Sequence, residues 1–319
     1  MTERQLRADV ERLAAPGGRL PGSPGHEAAR ETISERMATL GMPPYADAGY
    51  ELPYQAGALD GRNLLGVAPG RSRELPPVLV AAHYDTCGPL PGADDNAAAV
   101  AILLETARRL REAPAERDVV FAFFDAEEPP HYLTDTMGST RFYRDQRTGP
   151  VHCAVVLDLC GHDVPIPGLE NLIFVTGVES DRGLQRVAQQ TWPASGLRAV
   201  LTLNRYIGDL SDHHVFRVNR RPYLFLSCGR WPHYHAPTDT PDRLNYAKMA
   251  QITAYVEALL RETAVTALEG PFEGDDTVEI EIASLQRAVG PVLDMLGLHP
   301  QTRADLDAMV TLLVQQFGL

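Results

Sequence analysis

The chain has 319 residues and 44% hydrophobic content, enough for one large α/β domain or for one domain with a small appendage. Its 29 Lys+Arg against 42 Asp+Glu leave a net charge of −13, which argues against nucleic acid or an anionic membrane surface as partner. Cys87, Cys153, Cys160 and Cys228 show no CxxC spacing, the amino terminus MTERQLRADVERLAA is charged and amphipathic, and no run approaches the roughly 20 apolar residues of a membrane span. The expectation is a cytoplasmic protein with free thiols.

In chain order, Ser23 followed by Pro24 reads as a cap and first turn opening a helix that runs to residue 40. An apolar run at 77–82 (PVLVAA) predicts a buried strand. A helix is expected over 97–111, with Val100, Leu103, Leu104, Ala107 and Leu110 on one face. Further buried strands are expected at 118–124, 151–157, 172–176, 199–203 and 222–226, with helices at 181–191 and 246–267 between and after them. Such alternation predicts a mostly parallel mixed sheet covered by helices on both faces, an α/β fold. The composition changes at EGPFEGDD (269–276), which reads as a hinge. Beyond it, stripes at Leu285, Val289, Val292, Leu293 and Leu296 and at Leu306, Met309, Val310, Leu313 and Phe317 predict a helical hairpin. The expected division is therefore a main domain over 1–268 and a C-terminal extension over 269–319. That extension either covers part of the main domain or forms a homodimer contact.

Five short segments end on metal-ligand residue types: His83-Tyr84-Asp85, Asp94-Asp95-Asn96, Glu127-Glu128, Asp158, and His233-Tyr234-His235. Each follows an apolar run or sits at a loop-to-helix junction, where an α/β sheet delivers side chains into a common crevice. Alone, each has a bland explanation. HYD suits a structural histidine, two acids before a helix suit a cap, and paired glutamates suit an exposed turn. Together they point to a two-metal hydrolase. An imidazole oriented by a nearby carboxylate, as His83 by Asp85, makes a well-held ligand. Adjacent glutamates past a strand end point in different directions, so one can bind metal while the other acts as a base. His233 and His235 share a proline-rich loop, and both need not be ligands.

HYDT, GADDN, FFDAEE, the strand-end LD and HAPTDTPD resemble the zinc exopeptidase family of the bacterial leucyl aminopeptidases, which also includes glutamate carboxypeptidase and, more distantly, glutaminyl cyclase. The match in order and spacing runs from about residue 20 to residue 268. It implies the phosphorylase/hydrolase-like zinc exopeptidase fold and a site with two zinc ions per chain, for which cobalt or manganese are substitutes. By this resemblance Asp95 bridges the ions, His83 and Asp158 complete one, and Glu128 and His235 the other. Asp94 is not the ligand position and His233 stays a neighbour. Asp85 matches the acid that orients His83, and Glu127 the general base. The family also commonly carries a cis bond after its bridging aspartate, here Asp95-Asn96.

The Ser211-Asp212-His213-His214 turn is also family-like: Asp212 either supports substrate or a ligand, or caps the following helix. Tyr206, Trp231 and Tyr234 either form an apolar subsite or pack the loops. Cys87, near His83 in sequence, either lines the pocket or is a small buried filler, the second being the favoured reading. The expected activity is an aminopeptidase acting on peptides or small amino-acyl compounds. The alternatives are a carboxypeptidase, for which Arg205 or Arg230 would supply a cation, and a glutaminyl cyclase-like acyl transfer, suggested by FFDAEE followed by MGSTRF. A non-catalytic binding protein is the remaining alternative, and the intact ligand set speaks against it.

Overall fold

The computed structural model describes residues 2–15, 17–47, 49–193 and 196–317, with side chains through residue 311. Its helices are α1 (Thr2–Leu13), α2 (Pro24–Thr39), α3 (Ala99–Glu112), α4 (Gly138–Arg141), α5 (Arg182–Gln190), α6 (Asn204–Ile207), α7 (His213–Val218), α8 (Tyr246–Val265), α9 (Val278–Leu296) and α10 (Arg303–Phe317). Its strands are β1 (Glu51–Ala56), β2 (Leu59–Ala68), β3 (Val78–His83), β4 (Val119–Phe124), β5 (Cys153–Leu157), β6 (Leu172–Thr176), β7 (Arg198–Thr202) and β8 (Tyr223–Ser227). They form one mixed sheet in the order β1-β2-β4-β3-β5-β8-β6-β7. The apolar runs thus became strands, three of them displaced by one residue. The β1–β2 hairpin is an addition that the apolar runs did not announce.

Alternation along the strands divides the core between the two sheet faces. Val78, Val80 and Ala82 of β3 face a cluster with Leu6, Ile33, Leu103 and Leu259, from α1, α2, α3 and α8. Leu79 and Ala81 face the other way, toward Phe142, Val215 and Phe216. Every residue of β3 and β4 is buried, as a strand covered on both faces requires. The cap expected at Ser23 forms: its side chain accepts the His26 N–H at 3.2 Å, and Pro24 occupies the first turn of α2.

The central trio β4, β3 and β5 is parallel, with His83 beside Phe124 and Ala81 beside Val156. Their carboxyl ends therefore open onto one edge, and the chain delivers His83, Glu127, Glu128 and Asp158 there.

At the far edge, α9 lies along β7. The Leu201 N–H donates to Ser284 Oγ at 3.0 Å, so a helix side chain satisfies a backbone donor of an edge strand. Arg303 at the start of α10 grips Glu281 of α9 through both nitrogens, at 2.6 and 3.0 Å. The two C-terminal helices form the expected hairpin.

Candidate metal centre

His83 is the last residue of β3, and its Nε2 lies 3.2 Å from Asp95 Oδ1 and 3.6 Å from Asp158 Oδ1. Across the cleft, His235 Nε2 lies 3.1 Å from Asp95 Oδ2 and 3.1 Å from Glu128 Oε2. Asp95 thus turns one carboxylate oxygen toward each histidine. His83, Asp95 and Asp158 offer donor atoms within 4.8 Å of one another, as do His83, Glu127 and Glu128.

These short distances are not hydrogen bonds. Both ring nitrogens of His83, His235 Nε2, Glu127 Oε1, Glu128 Oε1 and Asp158 Oδ1 are buried without a hydrogen-bond partner among the described residues. A buried polar atom left unpaired costs about 1–3 kcal/mol, more when charged; His83 Nδ1 faces Asp85, and a divalent ion would pair His83 Nε2, His235 Nε2, Glu128 Oε1 and Asp158 Oδ1. Imidazole and carboxylate donors converging on shared points suit divalent zinc. The charge agrees: Asp85, Asp95, Glu127, Glu128, Asp158 and Asp212 are all buried here.

Their ionisation records the crowding. Burial pulls the His83 imidazole down, but the Asp158 and Glu127 carboxylates override it and hold it well above its ordinary value. His235 rises to about 10 against the effect of burial, through Asp95 and Glu128. Burial opposes ionisation of Asp95 too, yet the two histidines hold it below the usual carboxylate range. Burial drives Glu127 well above its ordinary value, with Asp158, Asp212 and Glu128 adding to the rise despite the opposing pull of His83. Glu128 is raised to about 7 by burial and by Asp95.

The backbone supporting these side chains is strained. Ala126 (φ 52°), Leu159 (φ 53°) and His235 (φ 51°) adopt left-handed conformations beside or at the site, each costing of order 1–3 kcal/mol. Between Ala93 and Ala98 the chain coils irregularly, with Asp95 and Asn96 outside helical dihedrals, before α3 begins. The Asp95-Asn96 peptide bond is cis.

The loops are clamped by polar groups. Asp85 does more than face His83 Nδ1 at 3.3 Å: its two oxygens accept the Glu127 and Glu128 N–H groups, each at 3.1 Å. Asp94 turns away from the cleft and accepts from Gly161 N at 2.6 Å, with His162 Nδ1 at 2.7 Å. Asp239 accepts the backbone N–H groups of Asp94 at 2.9 Å and Asp95 at 3.1 Å. His233 is occupied elsewhere, 2.8 Å from Thr238 Oγ1.

Sequence reading missed Arg19. Its guanidinium, in a side chain only 1% exposed, donates to the carbonyls of Tyr84 (2.7 Å), Leu13 (3.0 Å), Pro91 (2.8 Å) and Gly92 (2.9 Å). It therefore ties down both ends of the loop between His83 and Asp95. Burial lowers its pKa to about 10, and the acids Asp95, Asp85, Asp239 and Glu128 limit the fall. The GGR context offers only a loop signal, and the contacts to Tyr84, Pro91 and Gly92 lie 65 to 73 residues away. His26, 2.8 Å from Asp125 and stacked on Tyr84, was likewise invisible in sequence.

The pocket candidates separate. Asp212 stands before α7 but makes no capping hydrogen bond; both its oxygens are buried and unpartnered among the described residues. Burial, with Asp85 and Asp158 adding, lifts it to about 7. Tyr234 stacks on His235 with centroids 3.8 Å apart. Trp231 packs behind the site on His162, 4.7 Å between centroids. For Tyr206 the packing reading is the one the contacts favour: its hydroxyl binds Asp307 and Arg303 of α10, so it joins the C-terminal hairpin to α6. Arg205 pairs with Asp307 as well, which removes it as a carboxylate receptor. A cavity of about 590 Å³ lies there too, lined by Glu179, Asp209, Glu273 and Arg303 among others, apart from the converging ligands.

A model of Peptidase family M28 matches residues 63–260, which hold every one of the converging candidate ligands. The chain belongs to Peptidase family M28. The reading of its motifs as those of a zinc-dependent metallopeptidase stands with that membership. The uncharacterized protein YfbL of Escherichia coli (strain K12) is 32% identical over 215 residues, 58% of this chain and 66% of that protein. Aminopeptidase YwaD of Bacillus subtilis (strain 168) is 35% identical over 68 residues, 21% of this chain and 15% of that protein. Among solved structures, the LapA aminopeptidase of Legionella pneumophila superposes with a TM-score of 0.68 at 19% identity, covering 84% of this chain and 73% of that one. Tannerella forsythia glutaminyl cyclase superposes at 0.63 with 21% identity, over 81% of this chain and 98% of that one. These M28-like structures share the fold.

Proposed function

We propose that this M28 protein is a co-catalytic di-zinc exopeptidase that removes amino-terminal residues from peptides or small amino-acyl compounds. His83 and Asp158 would hold one ion and Glu128 and His235 the other, with Asp95 shared between them. The observation that carries this reading is the set of buried donor atoms on His83, Asp158, Glu128 and His235 that have no hydrogen-bond partner among the described residues, with the two oxygens of Asp95 divided between the histidines. When bound, the zinc pair supplies Lewis acidity that activates a water and polarises the scissile carbonyl.

Glu127 is the base. It takes a proton from the attacking water and hands it to the departing amine nitrogen. Its backbone N–H donates to Asp85 at 3.1 Å, which holds the Glu127 backbone beside the site. Asp212 keeps a buried carboxyl without a hydrogen-bond partner among the described residues, close enough to His83, Asp85 and Asp158 to feel their charges, and is the candidate for orienting the substrate amine. Tyr234 flanks the entrance beside His235.

The test is to compare hydrolysis of amino-acyl anilides with hydrolysis of N-blocked peptides and cyclisation of a glutaminyl peptide. Hydrolysis that requires a free amino terminus is expected. Cyclisation of the glutaminyl peptide without anilide hydrolysis overturns the aminopeptidase reading in favour of acyl transfer.

A further inference from the structure

Cys87 stands apart from the other cysteines. Cys153, Cys160 and Cys228 are buried in the core, whereas Cys87 is half-buried in the turn after β3. Its Sγ, a Glu128 carboxylate oxygen and a His235 ring nitrogen all lie within 4.8 Å of one another. Glu128 Oε1 has no hydrogen-bond partner among the described residues, and its side chain is only 5% exposed. Cys87, Glu128 and His235 line the same small crevice, together with Asp95.

The turn holds the thiol in place. Thr86 Oγ1 accepts the Arg19 N–H at 2.7 Å and donates to Gly88 O at 2.9 Å, bracketing Cys87 on both sides. Gly18 packs so closely on this turn that a Cβ there would meet Gly88 O at 2.7 Å. The sulfur is therefore presented to the crevice by a clamped backbone.

We infer that Cys87 is a sulfur donor to the metal position of Glu128 and His235, making it a mixed sulfur, nitrogen and oxygen site that favours thiophilic divalent ions such as zinc and cadmium over manganese. The inference rests on the reading of Glu128 and His235 as ligands. On binding, the S–H bond breaks, a sulfur–metal bond forms, and the proton leaves to solvent. Thiolate is a soft ligand and carboxylate a hard one, so the two metal positions differ in the ions they retain. Among the described residues, no cysteine joins the group of His83, Asp95 and Asp158.

The experiment loads the full metal-depleted chain with cobalt(II) and records its near-ultraviolet spectrum, which shows a charge-transfer band only when thiolate binds cobalt. The band is expected in the wild type and absent from both Cys87→Ala and Cys87→Ser, with unchanged far-ultraviolet circular dichroism. Zinc affinity in Cys87→Ala should fall by about tenfold or more, with a smaller change for manganese. A wild-type chain that takes up cobalt without the band, or a Cys87→Ala variant that keeps it, overturns the assignment. The number of cobalt ions bound per chain tests the two-metal reading separately, so failure of either idea is distinguishable from failure of the other.

Discussion

The Asp239 carboxylate accepts the backbone N–H of Asp95 at 3.1 Å across 144 residues of sequence, and one of its oxygens holds Asp94 N at 2.9 Å. A ligand is only as well placed as the backbone that carries it, and Asp95 sits where the chain leaves helical dihedrals. Asp239→Ala strands two buried N–H groups at about 1–3 kcal/mol each. The expected outcome is a zinc affinity lower by roughly 10–100-fold, with Asp239→Asn intermediate. Titration against a zinc-buffering chelator checks it, and unchanged affinity in the alanine variant removes Asp239 from the support of the site.

Arg19 clamps the same loop from the other side. Arg19→Met leaves several buried carbonyls without donors, and a lowering of stability by roughly 3–5 kcal/mol is expected, as for removal of one buried charged partner. Arg19→Lys should recover little of it, because a single ammonium cannot span Tyr84, Leu13, Pro91 and Gly92. Denaturant unfolding of the metal-depleted proteins measures this apart from zinc binding. A lysine variant as stable as wild type contradicts the clamp.

These two residues mark the limit of what the sequence made legible. Local chemistry was readable: buried strands as apolar runs, the Ser23 cap, and ligands at strand ends in family order. The β1–β2 hairpin escaped because Asp60, Arg62 and Asn63 interrupt its apolar pattern and Pro53 lies inside β1. The supports escaped because they are long-range contacts. Nothing near GGR announces that Arg19 will meet Gly92 O, and Asp239 reads as one more acid in a proline-rich turn. The role of Tyr206 was not legible either: loop aromatics border a pocket or brace a neighbouring helix according to tertiary placement alone.

His213 predicts a pH dependence of stability. It is fully buried, stacked on Phe225 with centroids 4.3 Å apart, and burial lowers its pKa from 6.5 to about 3. The unfolded chain takes up a proton below 6.5 that the folded chain refuses. This contribution is complete above 6.5 and is lost as the pH falls toward the folded value, by up to about 1.4 kcal/mol per pH unit. Unfolding of metal-depleted wild type and His213→Gln, compared between about pH 7 and about pH 5, should give a shallower dependence for the variant. Parallel curves for the two proteins rule out a buried neutral His213.

The C-terminal helices cover the β7 edge and bury Ile280, Val289 and Leu293. Removing residues 270–319 exposes an edge strand and an apolar face. We expect a melting temperature several degrees lower and concentration-dependent association, consistent with an uncovered strand edge. A monodisperse truncated protein with wild-type melting temperature excludes the covering role. The oligomeric state of the intact chain, measured alongside, tests the dimer contact expected of this hairpin.

The most direct test of the metal centre is the zinc-to-protein ratio measured by elemental mass spectrometry in wild type and in Glu127→Gln, with anilide turnover followed on the same samples. Two zinc ions per chain in both proteins, with turnover lost only in the variant, is the outcome expected of five protein ligands and a separate base. Loss of zinc in Glu127→Gln, or a wild type that retains one ion at saturation, contradicts that division of roles.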